Sequence, residues 1–277
     1  MADIKIPEKA YKNLEFLNSK DARLIRILAE FLEPQTRFRR EKIKDTIVVF
    51  GSARILSRKQ AKSNLSKLLR KKASAAKVEL ANIDLEMSKY YEDTVELSRL
   101  LTQWSMKLPS HRFVICSGGG PGIMEAANLG AKRAGGKSIG LNISLPMEQF
   151  PNKYITPSLA FDFHYFFMRK FWFAYLAKAL VIMPGGYGTL DELFEILTLI
   201  QTKKMKKKMP IVIFDNDFWD NILNLQEMFR KGMIDDEDLK LCKIVNSVDE
   251  AFSFLKNELS RNYIDIETSL LTKKGQS

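Results

Sequence analysis

From residue 113 onward the sequence alternates short, wholly apolar runs with longer stretches of helical periodicity, and that rhythm admits few folds. The runs at 113–116, 138–141, 179–183, 210–214 and 241–245 read as strands, and an earlier β-branched run, Thr46-Ile47-Val48-Val49-Phe50, reads as another. Helical patterns occupy 121–134, 164–178, 189–201, 217–230 and about 248–259. Strands apolar on both faces, separated by helices, predict a parallel sheet covered on both sides: a doubly wound α/β fold. Ahead of it, residues 8–32 carry leucine, isoleucine and phenylalanine at helical spacing up to a stop at Pro34, and residues 58–107 contain neither glycine nor proline. The expected organisation is an N-terminal helical extension over 1–43 and an α/β domain over 44–260. A helical insertion occupies 57–107 of that domain, and a tail covers 261–277.

In such a sheet, ligands bind beyond the carboxyl ends of the strands, so the strand-to-helix loops carry the chemistry. Three stand out: Gly51-Ser52-Ala53-Arg54; Ser117-Gly118-Gly119-Gly120-Pro121-Gly122; and Pro184-Gly185-Gly186-Tyr187-Gly188-Thr189. One glycine-rich loop is most simply a tight turn. Two of them, each opening a helix, favour a phosphate held by backbone N–H groups and the helix dipole. Neither loop continues into Gly-Lys-Ser/Thr, and from Gly118 and Gly120 the dinucleotide spacing fails at Ile123, so neither a P-loop nor a dinucleotide fingerprint is present.

The charged residues near these loops have two readings each. Arg169 and Lys170 lie in Phe166-Phe167-Met168-Arg169-Lys170-Phe171-Trp172, an aromatic segment expected to be buried. A buried guanidinium needs either a carboxylate such as Glu192 or Asp162, or an anionic ligand. Thr189 and Glu192 have the spacing of a capping box, which would place Glu192 beside the loop without any chemical role. Asp191 points about 100° away round the same helix. Tyr90 and Tyr91 either shape a base pocket or pack a core.

Composition narrows the class. The chain has 277 residues and a net charge of +11, yet residues 1–80 hold 20 basic and 9 acidic side chains while 81–277 hold 24 of each. The surplus therefore belongs to the N-terminal part, outside most of the expected site. Its basic runs, 37–44 and 58–77, read as solvated surface in preference to a nucleic-acid interface, because no nucleic-acid motif accompanies them. The run Lys203 to Lys208 suits a helix C-terminus. Cys116 and Cys242 read as buried hydrophobes, and two histidines, His111 and His164, exclude a histidine-rich metal site. No signal-type segment and no membrane-length apolar stretch is visible, so a cytoplasmic setting is expected.

The motif Pro184-Gly185-Gly186-Tyr187-Gly188-Thr189-Leu190-Asp191-Glu192 resembles the PGGxGTxxE signature of the LONELY GUY (LOG) family, phosphoribohydrolases often mislabelled lysine decarboxylases. Met168-Arg169-Lys170 is similar to that family's Arg-Lys motif. The loop from Ser117 to Gly122, with Ile123-Met124-Glu125-Ala126-Ala127, resembles its second glycine loop, and Phe50-Gly51-Ser52-Ala53-Arg54 its first strand end. The resemblance spans about 46–56 and 110–215.

It implies a Rossmann-like homodimer, without cofactor or metal, that hydrolyses the N-glycosidic bond of a nucleoside 5′-monophosphate. The substrate would be AMP or a related purine or cytokinin nucleotide. Glu192 and Arg169 would be catalytic. Gly185, Gly186, Tyr187, Gly188, Thr189, Lys170, Gly118, Gly119, Gly120 and Ser52 would bind substrate and its phosphate. The N-terminal helices and the insertion are additions to the minimal fold. Two alternatives of other classes are a non-catalytic carrier of a nucleotide or phosphorylated cofactor, and an RNA-associated protein using the basic N-terminal region.

Overall fold

The computed structural model describes residues 7–108, 112–144 and 150–265; His111 lies outside them. In chain order the helices and strands are α1 (Leu14–Asn18), α2 (Arg23–Arg40), β1 (Thr46–Phe50), α3 (Arg58–Arg70), α4 (Ala75–Ser105), β2 (Val114–Ser117) and α5 (Ile123–Arg133). They continue as β3 (Ser138–Ile143), β4 (Ala160–Phe163), α6 (Phe166–Leu176), β5 (Ala177–Ile182), α7 (Tyr187–Gln201) and β6 (Ile211–Phe214). The last are α8 (Asn216–Asp220), α9 (Leu225–Arg230), α10 (Asp236–Leu239), β7 (Cys242–Val245) and α11 (Val248–Leu259).

The seven strands form one sheet in the order β4-β3-β2-β1-β5-β6-β7, parallel at every pairing. This is the expected doubly wound, Rossmann-like α/β class. The chain starts in the middle at β1, winds out through β2, β3 and β4, then returns to β5 beside β1 and winds the other way. The crevice between β1 and β5 is thus the topological switch point. Alternate side chains of β1 face opposite layers. Val48 and Phe50 join a core with Phe38, Trp172, Phe173, Leu193 and Ile196, from α2, α6 and α7. Ile47 and Val49 join a second core with Val95, Leu101, Ala126, Ala127 and Leu255, from α4, α5 and α11.

The structure departs from the sequence expectations in three elements. The strand β4 was hidden because its pattern is short and begins on an aromatic stretch continuous with α6. The stretch 217–230 is not one helix: α8 ends at Asp220 and α9 starts at Leu225, with Asn224 accepting from the N–H of Glu227 as a new N-cap. Pro34 does not stop a helix but sits buried inside α2. A proline there removes the bond to the carbonyl four residues earlier, at a typical cost of about 3 kcal/mol. That carbonyl, on Glu30, accepts instead from Nε1 of Trp172 at 3.0 Å. The Glu30 carboxylate meanwhile accepts from the N–H groups of His164 (2.8 Å) and Tyr165 (3.2 Å), just ahead of α6.

Candidate active site

The backbone of Ser52 joins the three loops. Its N–H donates to the Pro184 carbonyl at 3.0 Å, and its carbonyl accepts from the N–H of Ile123, the first residue of α5, at 3.1 Å. The β1 loop is thereby fixed to both glycine loops at the switch point. Over it opens a cleft of about 540 Å³ lined by Ser52, Ala53, Arg54, Met124, Phe166, Arg169, the run Gly186 to Thr189, Asp191 and Glu192, among others. That volume suits a small-molecule ligand. A smaller cavity of about 280 Å³, lined by Thr102, Arg112 and Lys137, lies at the amino ends of β2 and β3, where Asp45 already holds Arg112 at 2.8 Å.

The third loop is built open. Helix α7 begins at Tyr187 with Gly186 as N-cap and no capping side chain. The capping box expected from Thr189 and Glu192 is therefore absent: Thr189 already lies inside the first turn, where its N–H donates to the Gly186 carbonyl at 3.0 Å. The N–H groups of Tyr187 and Gly188 have no acceptor within the helix and border the cleft. A Cβ at Gly186 or Gly188 would meet no atom within 4 Å, and neither has a positive φ, so neither packing nor backbone geometry requires glycine there. At Gly185 the opposite holds, since a Cβ would strike Thr189 Oγ1 at 2.1 Å.

The second loop is packed. Gly118, Gly119 and Gly120 are buried and do not border the cleft. At Gly119 φ is +75°, and at Gly122 (φ +66°) a Cβ would lie 2.4 Å from the Ser52 carbonyl. The Asn152 amide reaches the carbonyls of Gly119 and Gly120, both at 3.0 Å, and Oδ1 of Asn128 at 2.9 Å. Sequence reasoning passed over Asn152, which lies in no recognisable motif. Gly118 alone of the three lies against Arg169: a Cβ there would lie 2.7 Å from its Nη2.

Arg169 is set by strand β3, since its Nε donates to the Leu141 carbonyl at 2.8 Å, and its guanidinium lies over the ring of Phe173. Neither of the carboxylate pairings considered for it forms: Asp162 accepts from Ser144 Oγ, and no ion pair joins Arg169 to Glu192 within 4 Å. Burial holds the Arg169 pKa below the ordinary arginine value, with Glu192 pulling the other way. Glu192, only 7% exposed, accepts no hydrogen bond from any described residue. Burial pushes its carboxyl up to about 7, against the pull of Lys170 and Arg169. A buried carboxylate without a partner, on the wall of a cleft, is poised for a proton or a developing positive charge.

Lys170 takes a different place from the one expected. It is absent from the cleft lining and bonds Asp191 at 2.8 Å and Glu195 at 2.7 Å. Burial works against its charge, but these two hydrogen bonds prevail and hold its pKa above the usual lysine value. Asp191 borders the cleft beside Glu192 and is turned toward Lys170. The aromatic segment around the pair is only partly buried: Met168 and Trp172 are buried, whereas Phe166, Phe167 and Phe171 are exposed. Tyr90 and Tyr91 pack a core, and the Tyr91 hydroxyl donates to Glu125 at 2.7 Å. Cys116 is buried and Cys242 partly so, both as free thiols. Among the described residues no cluster of metal-ligating side chains occurs, and no helix is long and apolar enough to cross a membrane.

Residues 124–255 match the family model described as "Possible lysine decarboxylase". A stretch of 60 residues is 40% identical to the cytokinin riboside 5′-monophosphate phosphoribohydrolase LOG of Oryza sativa subsp. japonica. That stretch is 22% of this chain and 24% of the relative, so the chain matches about a quarter of the curated relative's length. Among solved structures, the molybdenum cofactor carrier protein of Chlamydomonas reinhardtii is 20% identical with a TM-score of 0.46, over 79% of this chain and 99% of that one. The molybdenum cofactor binding protein of Rippkaea orientalis is also 20% identical, with a TM-score of 0.44 over 61% of this chain and 86% of that one.

Proposed function

The chain belongs to the LONELY GUY (LOG) family, and on that premise we propose that it hydrolyses the N-glycosidic bond of a nucleoside 5′-monophosphate to free base and ribose 5-phosphate. AMP or a related purine or cytokinin nucleotide is the substrate class. The observation that carries the reading is Glu192: buried, unpartnered, and one turn along the helix whose open N-terminus borders the same cleft.

The N–H groups of Tyr187 and Gly188 receive the 5′-phosphate, which fixes the ribose over Glu192. As the base departs, positive charge develops on the ribose ring, and the Glu192 carboxylate stabilises it and draws the proton from the attacking water. Water's oxygen bonds to C1′ while the C1′–N bond breaks, and the base leaves with its electron pair and takes up a proton from solvent. Arg169, anchored on Leu141, holds the substrate's oxygens and sustains the ionised form of Glu192.

We also infer that the protein is a homodimer. Leu24, Leu28 and Leu32 form an exposed row on α2, and Phe167, Phe171 and Tyr175 form another on α6, joined by the Phe31–Phe171 ring contact at 5.4 Å. Such a two-helix apolar face is what a self-associating chain covers.

The decisive assay incubates the purified protein with a panel of nucleoside monophosphates and follows base release by chromatography. Release of free base from at least one is expected. Intact nucleotide in every case at high enzyme concentration overturns the reading, and binding without release assigns a carrier instead.

A further inference from the structure

Two cationic side chains border the cleft, Arg54 and Arg169. Arg169 is partly buried and bonded to Leu141, and Lys170 is held outside by Asp191 and Glu195. Arg54 is exposed, and no carboxylate among the described residues lies within 4 Å of it. Only its backbone is fixed, its N–H donating to Ser52 Oγ at 3.1 Å. Ser52 is in turn bonded to Pro184, two residues before the N-cap of α7, so Arg54 projects from a loop tied to the strand end that leads into the open helix N-terminus.

Resting on the hydrolase reading, we propose that Arg54 is the phosphate clamp of this site, the residue that makes it select 5′-phosphorylated over dephosphorylated nucleosides. A phosphate monoester is close to a dianion at neutral pH. The helix end offers two N–H donors and about half a unit of positive charge, which leaves most of that charge unmatched. A planar guanidinium free of protein partners supplies the balance with two parallel hydrogen bonds. The local sequence reinforces the field: no acidic residue occurs from 46 to 78, while Arg58, Lys59, Lys62, Lys67 and Arg70 follow on α3. Part of the N-terminal charge surplus thus stands at the cleft.

The test is calorimetric titration with ribose 5-phosphate, and with ribose as the phosphate-free control, on the wild type, Arg54→Ala and Arg54→Lys. Losing a charge-assisted bidentate contact weakens ribose 5-phosphate binding about 10- to 100-fold in R54A, with R54K between. The melting temperature without ligand stays put, because the side chain has no partner among the described residues. In turnover, KM for the monophosphate rises by the same factor while kcat stays within about threefold, as uniform binding requires. Ribose 5-phosphate binding in R54A within twofold of the wild type, or none in the wild type itself, overturns the assignment. Failure of base release with every nucleotide, while ribose 5-phosphate still binds in an Arg54-dependent way, refutes the hydrolase and leaves the clamp standing.

Discussion

Nε of Arg169 donates to the Leu141 carbonyl at 2.8 Å, so strand β3 holds the guanidinium and the carboxylate it faces across the cleft stays unbonded. Two opposite charges kept within electrostatic reach but apart remain available to a third party. That separation underlies the first two predictions.

Glu192→Gln abolishes base release while nucleotide binding persists. It also changes stability in a pH-dependent way. The folded-state pKa, raised to about 7, lies above that of the unfolded chain. Between pH 4.5 and 7 the unfolded state loses its proton first, so the wild-type residue costs nothing below that window and its full penalty above it. Thermal melts of E192Q should exceed wild type at pH 8 by an amount on the order of 2–3 kcal/mol and match it at pH 4.5. An equal difference at both values refutes this account. In the wild type, kcat/KM rises with pH on a limb centred near 7.

Arg169 and Lys170, adjacent in sequence, separate in kinetics. Arg169→Ala lowers kcat by about 10²- to 10³-fold, the range for loss of a preorganised charge at a reacting centre. Lys170→Met leaves KM for the monophosphate within about threefold, since its ammonium is spent on Asp191 and Glu195. Lys170 is nevertheless the largest influence drawing the Glu192 pKa down, so K170M moves the acid limb of the profile to higher pH. A limb that stays in place, or moves to lower pH, contradicts the arrangement.

Asn152→Ala strips the side-chain donor from the carbonyls of Gly119 and Gly120; that of Gly119 keeps the Asn152 N–H at 2.8 Å, and that of Gly120 is left without one. A buried acceptor left without a partner costs about 1–3 kcal/mol, read as a lower urea midpoint at unchanged m-value. The side chain does not line the cleft, so turnover at 25 °C in the folded variant remains close to wild type.

Leu28→Glu places a charge in the exposed apolar row of α2. Sedimentation velocity should then show a monomer where the wild type sediments as a dimer. A wild-type monomer at micromolar concentration removes the homodimer.

The sheet was legible because its strands are apolar on both faces: 46–50, 113–116 and 179–183 announce central strands whatever surrounds them. The edge strand β4 was not, because four residues merging into Phe166 and Phe167 carry no periodicity of their own. In the site, the motif around Glu192 was plain, but local rules misjudged its surroundings. Thr189 and Glu192 fit a capping box by spacing, yet the N-cap is Gly186, three residues before Thr189. Lys170 looked like a ligand group because its two partners lie a helix away, at 191 and 195. Arg54 escaped notice for the reverse reason: its distinction is the absence of a partner, which only three dimensions can reveal.

Glu30 grips α6 twice, its carboxylate on the N–H groups of His164 and Tyr165 and its carbonyl on the Trp172 indole. Arg169 lies between those two points of attachment. A disturbance of α2 is therefore passed to α6, the helix that carries Arg169. The extension is a splint on the reactive helix, and a shorter chain starting at β1 would be a molecule with its arginine unsighted.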